Sequence, residues 1–113
     1  MVIVDTSVWL QFLKGAAPPV KDAMDDLKFR GEIAMVGAVL AEILRGARNQ
    51  HELGELREWL TALPYLADTR ETWMRVGSLA FELRKKGATV PIVDLIIAAL
   101  AIEHGAAVED YQG

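Results

Sequence analysis

The chain opens with Met1-Val2-Ile3-Val4-Asp5-Thr6-Ser7-Val8-Trp9, an apolar run that ends on a carboxylate and passes at once into small hydroxyl residues. Such a run reads as a short buried strand, and a helix-like pattern follows it without a linker. This junction restricts the fold more than any other stretch. A buried strand that delivers an Asp to its own carboxyl end suits an open α/β sheet, where ligands bind at the carboxyl ends of the strands. The remaining question is which other residues converge on Asp5.

Strand and helix signals alternate along the rest of the chain. Thr6 is positioned to N-cap the first helix and Gly15 to end it. Pro18-Pro19 opens a second helix with the apolar stripe Val20, Met24 and Leu27. Glu32 to Val36 reads as a second strand. A third helix is expected from about Ala38 to Arg48. A fourth starts near Gln50 and carries Leu53, Leu56, Trp59, Leu60 and Leu63. The two form a helical hairpin that Pro64 stops. Tyr65-Leu66-Ala67 is a short strand candidate. Asp68 or Thr69 caps a long helix with the stripe Trp73, Val76, Leu79, Ala80 and Leu83. Arg84, Lys85 and Lys86 suit its negative end, and Gly87 terminates it. Pro91 opens a last helix, Ile92 to about Glu103. Gly105 ends that helix, and Ala106 to Val108 is a further strand. The alternation predicts an α/β fold with a largely parallel sheet. No repeat, linker or low-complexity stretch divides the 113 residues, which suit one domain.

Composition narrows the function classes. The absence of cysteine excludes disulfides, thiolate metal sites and a cysteine nucleophile. Hydrophobic residues make up 52%, more than soluble domains usually carry, which suggests that a partner or second subunit covers apolar surface. The longest apolar run, Leu95 to Ile102, is far short of the ~20 residues needed to span a bilayer. The N-terminus lacks the basic start of a signal peptide, so a cytoplasmic location is expected. A net charge of -4 gives no simple attraction for nucleic acid, although Lys and Arg can gather on one face. An acidic total also arises when carboxylates cluster for metal ions.

Two more carboxylates stand in apolar surroundings. Asp94 lies in Ile92-Val93-Asp94-Leu95-Ile96-Ile97-Ala98-Ala99-Leu100-Ala101-Ile102, a helix apolar on every side and therefore expected to be buried. A buried carboxylate needs a partner, a proton or a cation; alternatively Asp94 answers the helix dipole from the first turn. Glu42 lies in Val39-Leu40-Ala41-Glu42-Ile43-Leu44-Arg45-Gly46, and its ordinary role is a surface glutamate paired with Arg45 or Arg48. For Asp5 the plain alternative is a turn-former or helix cap. Three hard oxygen ligands on three elements suit Mg²⁺ or Mn²⁺, which can activate a water and neutralise a phosphodiester. His51 and His104 sit near helix ends, where a solvated or dipole-compensating role is ordinary. Neither a Ser-His-Asp spacing nor a phosphate-cradling glycine motif is present.

In order and spacing, Val2-Ile3-Val4-Asp5-Thr6-Ser7-Val8-Trp9, Ala41-Glu42-Ile43-Leu44-Arg45-Gly46 and Asp94-Leu95-Ile96-Ile97-Ala98-Ala99 with His104-Gly105 resemble the PIN-domain ribonucleases. Within that family the likeness is to VapC-type toxins of bacterial toxin–antitoxin pairs. The resemblance implies a three-layer α/β/α sandwich with a mostly parallel sheet of about four strands. It implies Mg²⁺- or Mn²⁺-dependent cleavage of RNA, with Asp5, Glu42 and Asp94 as the acidic catalytic and metal site. Thr6 and Ser7 match the polar residues after the first Asp and orient a metal-bound water or cap the helix. Lys14, Arg45 and Arg48 are candidates to guide the RNA backbone. An antitoxin protein and a second copy of the chain are the implied partners, with Trp9, Phe12, Val20, Met24, Leu53, Leu56 and Trp59 as the apolar material in excess of a small core. The family has one more Asp after its last strand, near Tyr111 or Gln112 here. Neither is an acid, and Asp110 or Glu109 is the nearest substitute. The single domain over residues 1–113 is thus expected to be shortened at its C-terminus.

Two other readings remain open. An aspartyl-phosphate domain would also use a strand-end Asp. However, haloacid-dehalogenase-like enzymes want a second Asp two positions on, where this chain has Ser7, and a receiver domain wants an acidic pair before its own Asp. A PIN-like binding or oligomerisation module without catalysis would fit an incomplete acidic set.

Overall fold

The computed structural model describes residues 1–15 and 17–110. Its strands are β1 (Val2–Val4), β2 (Ile33–Ala34) and β3 (Ala107–Glu109). Its helices are α1 (Thr6–Leu13), α2 (Pro18–Phe29), α3 (Gly37–Arg45), α4 (Gln50–Thr61), α5 (Arg70–Lys85) and α6 (Ile92–His104). The sheet is parallel in the order β2-β1-β3. Val2 pairs with Ile33 on one side and Ala107 on the other, and Ile3 pairs with Ala34 and Val108. A central strand flanked on both edges is buried on both faces, which explains why Ile3 and Val4 are wholly buried and the run is uninterrupted.

The α/β class and the parallel sheet agree with the sequence reading, but the strand count does not. Among the described residues the sheet has three strands, not four. The Tyr65-Leu66-Ala67 candidate is reduced to a single parallel bridge between Met35 and Tyr65. Met35 N–H donates to Pro64 O at 2.7 Å, and Leu66 N–H donates to Met35 O at 2.9 Å. Pro64 has no N–H to extend the ladder backwards, and the Thr69 cap of α5 begins three residues after Leu66.

The helix starts follow local chemistry. Thr69 accepts from the Thr72 N–H, and Thr72 returns a bond to the Thr69 N–H, a reciprocal capping box. Asn49 caps α4 by accepting from Glu52 N–H at 2.8 Å. Gly105 ends α6 in the left-handed region at φ 63°, where glycine carries no Cβ penalty. The Ala106 N–H then bonds back to Ala101 O at 2.8 Å and aims the chain into β3.

One apolar cluster joins the elements, with Trp9, Met24, Ile43, Leu60, Ile96 and Leu100 among its largest buried side chains. Burying such side chains stabilises the fold by roughly 1.5–3 kcal/mol each. The helix α6 does not meet the expectation of complete burial. Leu95, Ile96, Ile97 and Leu100 are buried, whereas Ile92 is 50% and Ile102 83% exposed. An all-apolar sequence has no polar face to mark the side that meets solvent. A polar seam ties α6 to α5 as well, because the buried Thr72 hydroxyl donates to Glu103 at 2.8 Å. No described helix is long and apolar enough to cross a membrane.

Candidate active site

Asp5 stands where β1 becomes α1. Its N–H donates to Glu109 O at 3.0 Å, and its carbonyl accepts from the Val8 and Trp9 N–H groups. Asp5 is therefore the N-cap of α1 by backbone geometry, although its side chain bonds no helical N–H. Thr6, expected to cap, is instead the first helical residue and is buried.

The side chain of Asp5 is engaged by its neighbour: Ser7 Oγ donates to Asp5 Oδ2 at 2.6 Å. The Thr6 hydroxyl goes elsewhere and donates to Glu42 Oε1 at 2.7 Å. The other oxygen of Glu42 faces Arg45 Nη2 at 3.8 Å, the pairing anticipated as its ordinary role. The two hydroxyls thus hold two different carboxylates, one on α1's own cap and one on α3.

Asp5, Asp94 and Asp110 line one hollow of about 330 Å³, walled by Ile97, Ala98 and Val108. Asp94 is exposed in the first turn of α6, where its charge answers the helix dipole. Of the two readings of Asp94 in the sequence, the first-turn one is the outcome, because α6 turns that side to solvent. Glu42 does not line the hollow. It reaches the hollow's edge indirectly, through Thr6, the residue after Asp5. Among the described residues no three carboxylate or imidazole groups are gathered closely enough to hold one ion. The expected acid position near Tyr111 or Gln112 lies outside the described residues.

The donor chemistry of the hollow suits a hard divalent cation. Among the described residues its charged lining is three carboxylates with no basic side chain, and like charges in one pocket repel until a cation joins them. Neither histidine lines the hollow. His51 faces Glu55 at 2.7 Å on its own helix, and His104 bonds Ala67 O at 3.0 Å across the fold.

A larger hollow, about 790 Å³, is lined from α1, α3 and α4. Leu10, Leu13, Ile43, Leu56 and Trp59 form its apolar part, with Lys14 and Arg48 beside them. Trp59 stacks on Phe12 at 6.3 Å and meets Trp9 edge-on at 5.7 Å. Of the residues read as surplus, Trp9, Val20 and Met24 are core. Phe12, Leu53, Leu56 and Trp59 are only half-buried. Arg48 hydrogen-bonds Glu52 at 2.9 Å on the rim and holds that carboxyl below its ordinary range. Sequence reasoning placed Leu56 and Trp59 on an apolar face but did not identify Leu10 and Leu13 as the opposite wall. A helix stripe does not say which neighbour leaves it uncovered.

The chain is thus an α/β domain with a parallel sheet and an acidic hollow at the carboxyl end of its central strand. The chain matches the PIN domain over residues 2–108 and belongs to that family. Ribonuclease VapC11 of Mycobacterium tuberculosis is 33% identical over 112 residues, covering 94% of this chain and 82% of its own length. A toxin–antitoxin complex from Klebsiella pneumoniae has a chain of similar fold (TM-score 0.75, 19% identity), covering 96% of this chain and 83% of that one. The VapBC2 complex of Rickettsia felis bound to a promoter DNA fragment has another (TM-score 0.73, 22% identity), covering 96% and 86%.

Proposed function

We propose that this chain is a metal-dependent endoribonuclease, the toxin of a toxin–antitoxin pair, acting in the cytoplasm as one PIN-like domain over residues 1–113. The observation that carries the reading is the hollow shared by Asp5, Asp94 and Asp110 at the end of β1, in a chain whose relatives include ribonuclease VapC11. Asp5, Glu42 and Asp94 are the metal-binding and catalytic acids, with Asp110 as a fourth. When bound, Mg²⁺ or Mn²⁺ supplies charge neutralisation at the scissile phosphate and an activated water. The chain's own part is placement. Ser7 fixes Asp5, Thr6 fixes one oxygen of Glu42, and the first turn of α6 carries Asp94 to the hollow. The test is cleavage of defined RNAs with Mg²⁺ or Mn²⁺ and with excess chelator. Cleavage is expected with metal and lost with chelator; equal cleavage in both overturns the metal dependence.

A non-catalytic PIN-like binding or oligomerisation module is the second reading. It draws on the position of Glu42 outside the hollow. It requires that the folded chain bind no Mn²⁺ in calorimetry.

The α1–α3–α4 hollow is the seat of the antitoxin. An apolar helix face laid into such a groove buries the half-exposed aromatics. A second copy of the chain covers further apolar surface, supported by the exposure of Met74 (60%), Phe81 (51%) and Ile102 (83%). Leu56→Asp puts a charge in the groove and is expected to abolish co-purification with a tagged antitoxin while the dimer survives. Retained co-purification argues against the groove, and a monomer in sedimentation at high concentration argues against the dimer.

A further inference from the structure

We infer that Lys86 is an RNA-positioning residue, which takes a backbone phosphate of a strand whose scissile phosphate lies in the acidic hollow. The inference rests on the ribonuclease reading and adds the direction in which the substrate leaves the site.

Among the described residues no cation lines the hollow, so a polyanion must be held from outside it. The sequence candidates for guiding the RNA are engaged otherwise. Lys14 and Arg48 line the α1–α3–α4 groove, Arg48 is tied to Glu52 at 2.9 Å, and Arg45 faces Glu42 at 3.8 Å. The basic run Arg84-Lys85-Lys86 closes α5 instead, and all three residues are exposed.

Helix geometry distinguishes Lys86 from its neighbour. Thr72 and Arg75 of α5 both reach Glu103, so their side of α5 faces α6. Lys86 stands about three turns beyond Arg75 and returns to that side. Its φ of -90° and ψ of 8° keep it close to the helical path. Lys85 turns to the other side, where its Nζ lies 5.4 Å from the centroid of the Phe81 ring. A Schellman motif then fixes the corner: Ala88 N–H donates to Leu83 O at 2.9 Å, and Gly87 turns at φ 84°. Among the described residues Lys86 forms no ion pair.

The corner stands at the hollow's end of α6. Glu103, near the end of α6, grips the start of α5, so the two helices run antiparallel. At 1.5 Å per residue, Lys86 lies about 20 Å along the hairpin from the Thr72–Glu103 bond and Asp94 about 14 Å. Asp94 is about two and a half turns before Glu103, hence on the opposite side of α6, where it lines the hollow. A strand leaving the hollow therefore crosses the start of α6, one helix width of about 10–12 Å, and meets Lys86. A purely dipolar role at the end of α5 would fall to Lys85 and Lys86 alike. The two neighbours thus separate a phosphate contact from an electrostatic cap.

The test uses the whole chain in Ca²⁺, with anisotropy of a labelled single-stranded oligo(U) and a gel showing the RNA intact. At about 0.1 M salt, Lys86→Gln is expected to bind about fivefold more weakly and to reduce the log–log salt slope by about 0.7, the value of one phosphate contact. Lys86→Arg stays near wild type. Lys85→Gln removes the same charge from the same helix end and leaves affinity and slope unchanged. In Mn²⁺ the effect of Lys86→Gln on RNA cleavage is expected in KM and not in kcat. Equal losses in the two glutamine variants, or no loss in Lys86→Gln, overturn the contact. A wild-type chain that neither binds nor cleaves RNA overturns the ribonuclease reading itself, and the contact with it.

Discussion

Asp5→Asn is expected to lower metal-dependent RNA cleavage by at least about 100-fold while the protein melts within a few degrees of wild type. The two effects separate because Asp5 does two jobs with different atoms. Its backbone caps α1 and pairs with Glu109, and asparagine keeps both roles. Its carboxylate supplies a negative charge to the hollow, and asparagine removes that charge while still accepting from Ser7. Cleavage of a defined RNA in Mn²⁺, beside a circular-dichroism melt, reads both. Full cleavage by the variant would sink the assignment of Asp5.

Trp9→Ala is the substitution with the largest expected effect on stability, about 3–5 kcal/mol. Trp9 is 1% exposed and sits between Phe12 and Trp59, with ring centroids at 6.4 and 5.7 Å. Its removal leaves a cavity at the α1–α4 contact and withdraws support from the groove wall. A domain of this size has ~5–15 kcal/mol in total, so much of its stability goes at once. Trp9→Phe is expected to cost much less. It keeps a ring against Trp59 and deletes an indole N–H that is buried without an acceptor among the described residues. Denaturant titration checks the pair, through a fall in the midpoint at constant slope. A loss below about 1 kcal/mol for the alanine variant would overturn this picture of the core.

The elements were legible because their signals are local. The proline pair at Pro18, the Thr69 cap and Gly105 each act within a turn, and the structure begins or ends helices there. The parallel arrangement was legible too, since strands separated by helices need crossovers. The third helix ends at Arg45, not near Arg48, because Gly46 takes its C-cap. For the candidate site, the sequence supplied the residue types and the elements that carry them. It left Asp94 between a buried carboxylate and a first-turn dipole partner, since an unbroken apolar helix gives no hint of which side faces water; the structure takes the second.

By itself the sequence determined most of the elements, their order, and that Asp5, Glu42 and Asp94 ride on three of them. Propensity, caps and periodicity are properties of neighbouring residues, and no folding is needed to read them. Only the tertiary structure decided that Thr6 serves Glu42 and not its own helix end, across 36 residues of chain. It alone reduced the fourth strand to a bridge and gathered Asp5, Asp94 and Asp110 around one hollow with Glu42 outside it. Each of these outcomes depends on how helices pack on the sheet, which sets the side-chain directions that a one-dimensional pattern does not contain.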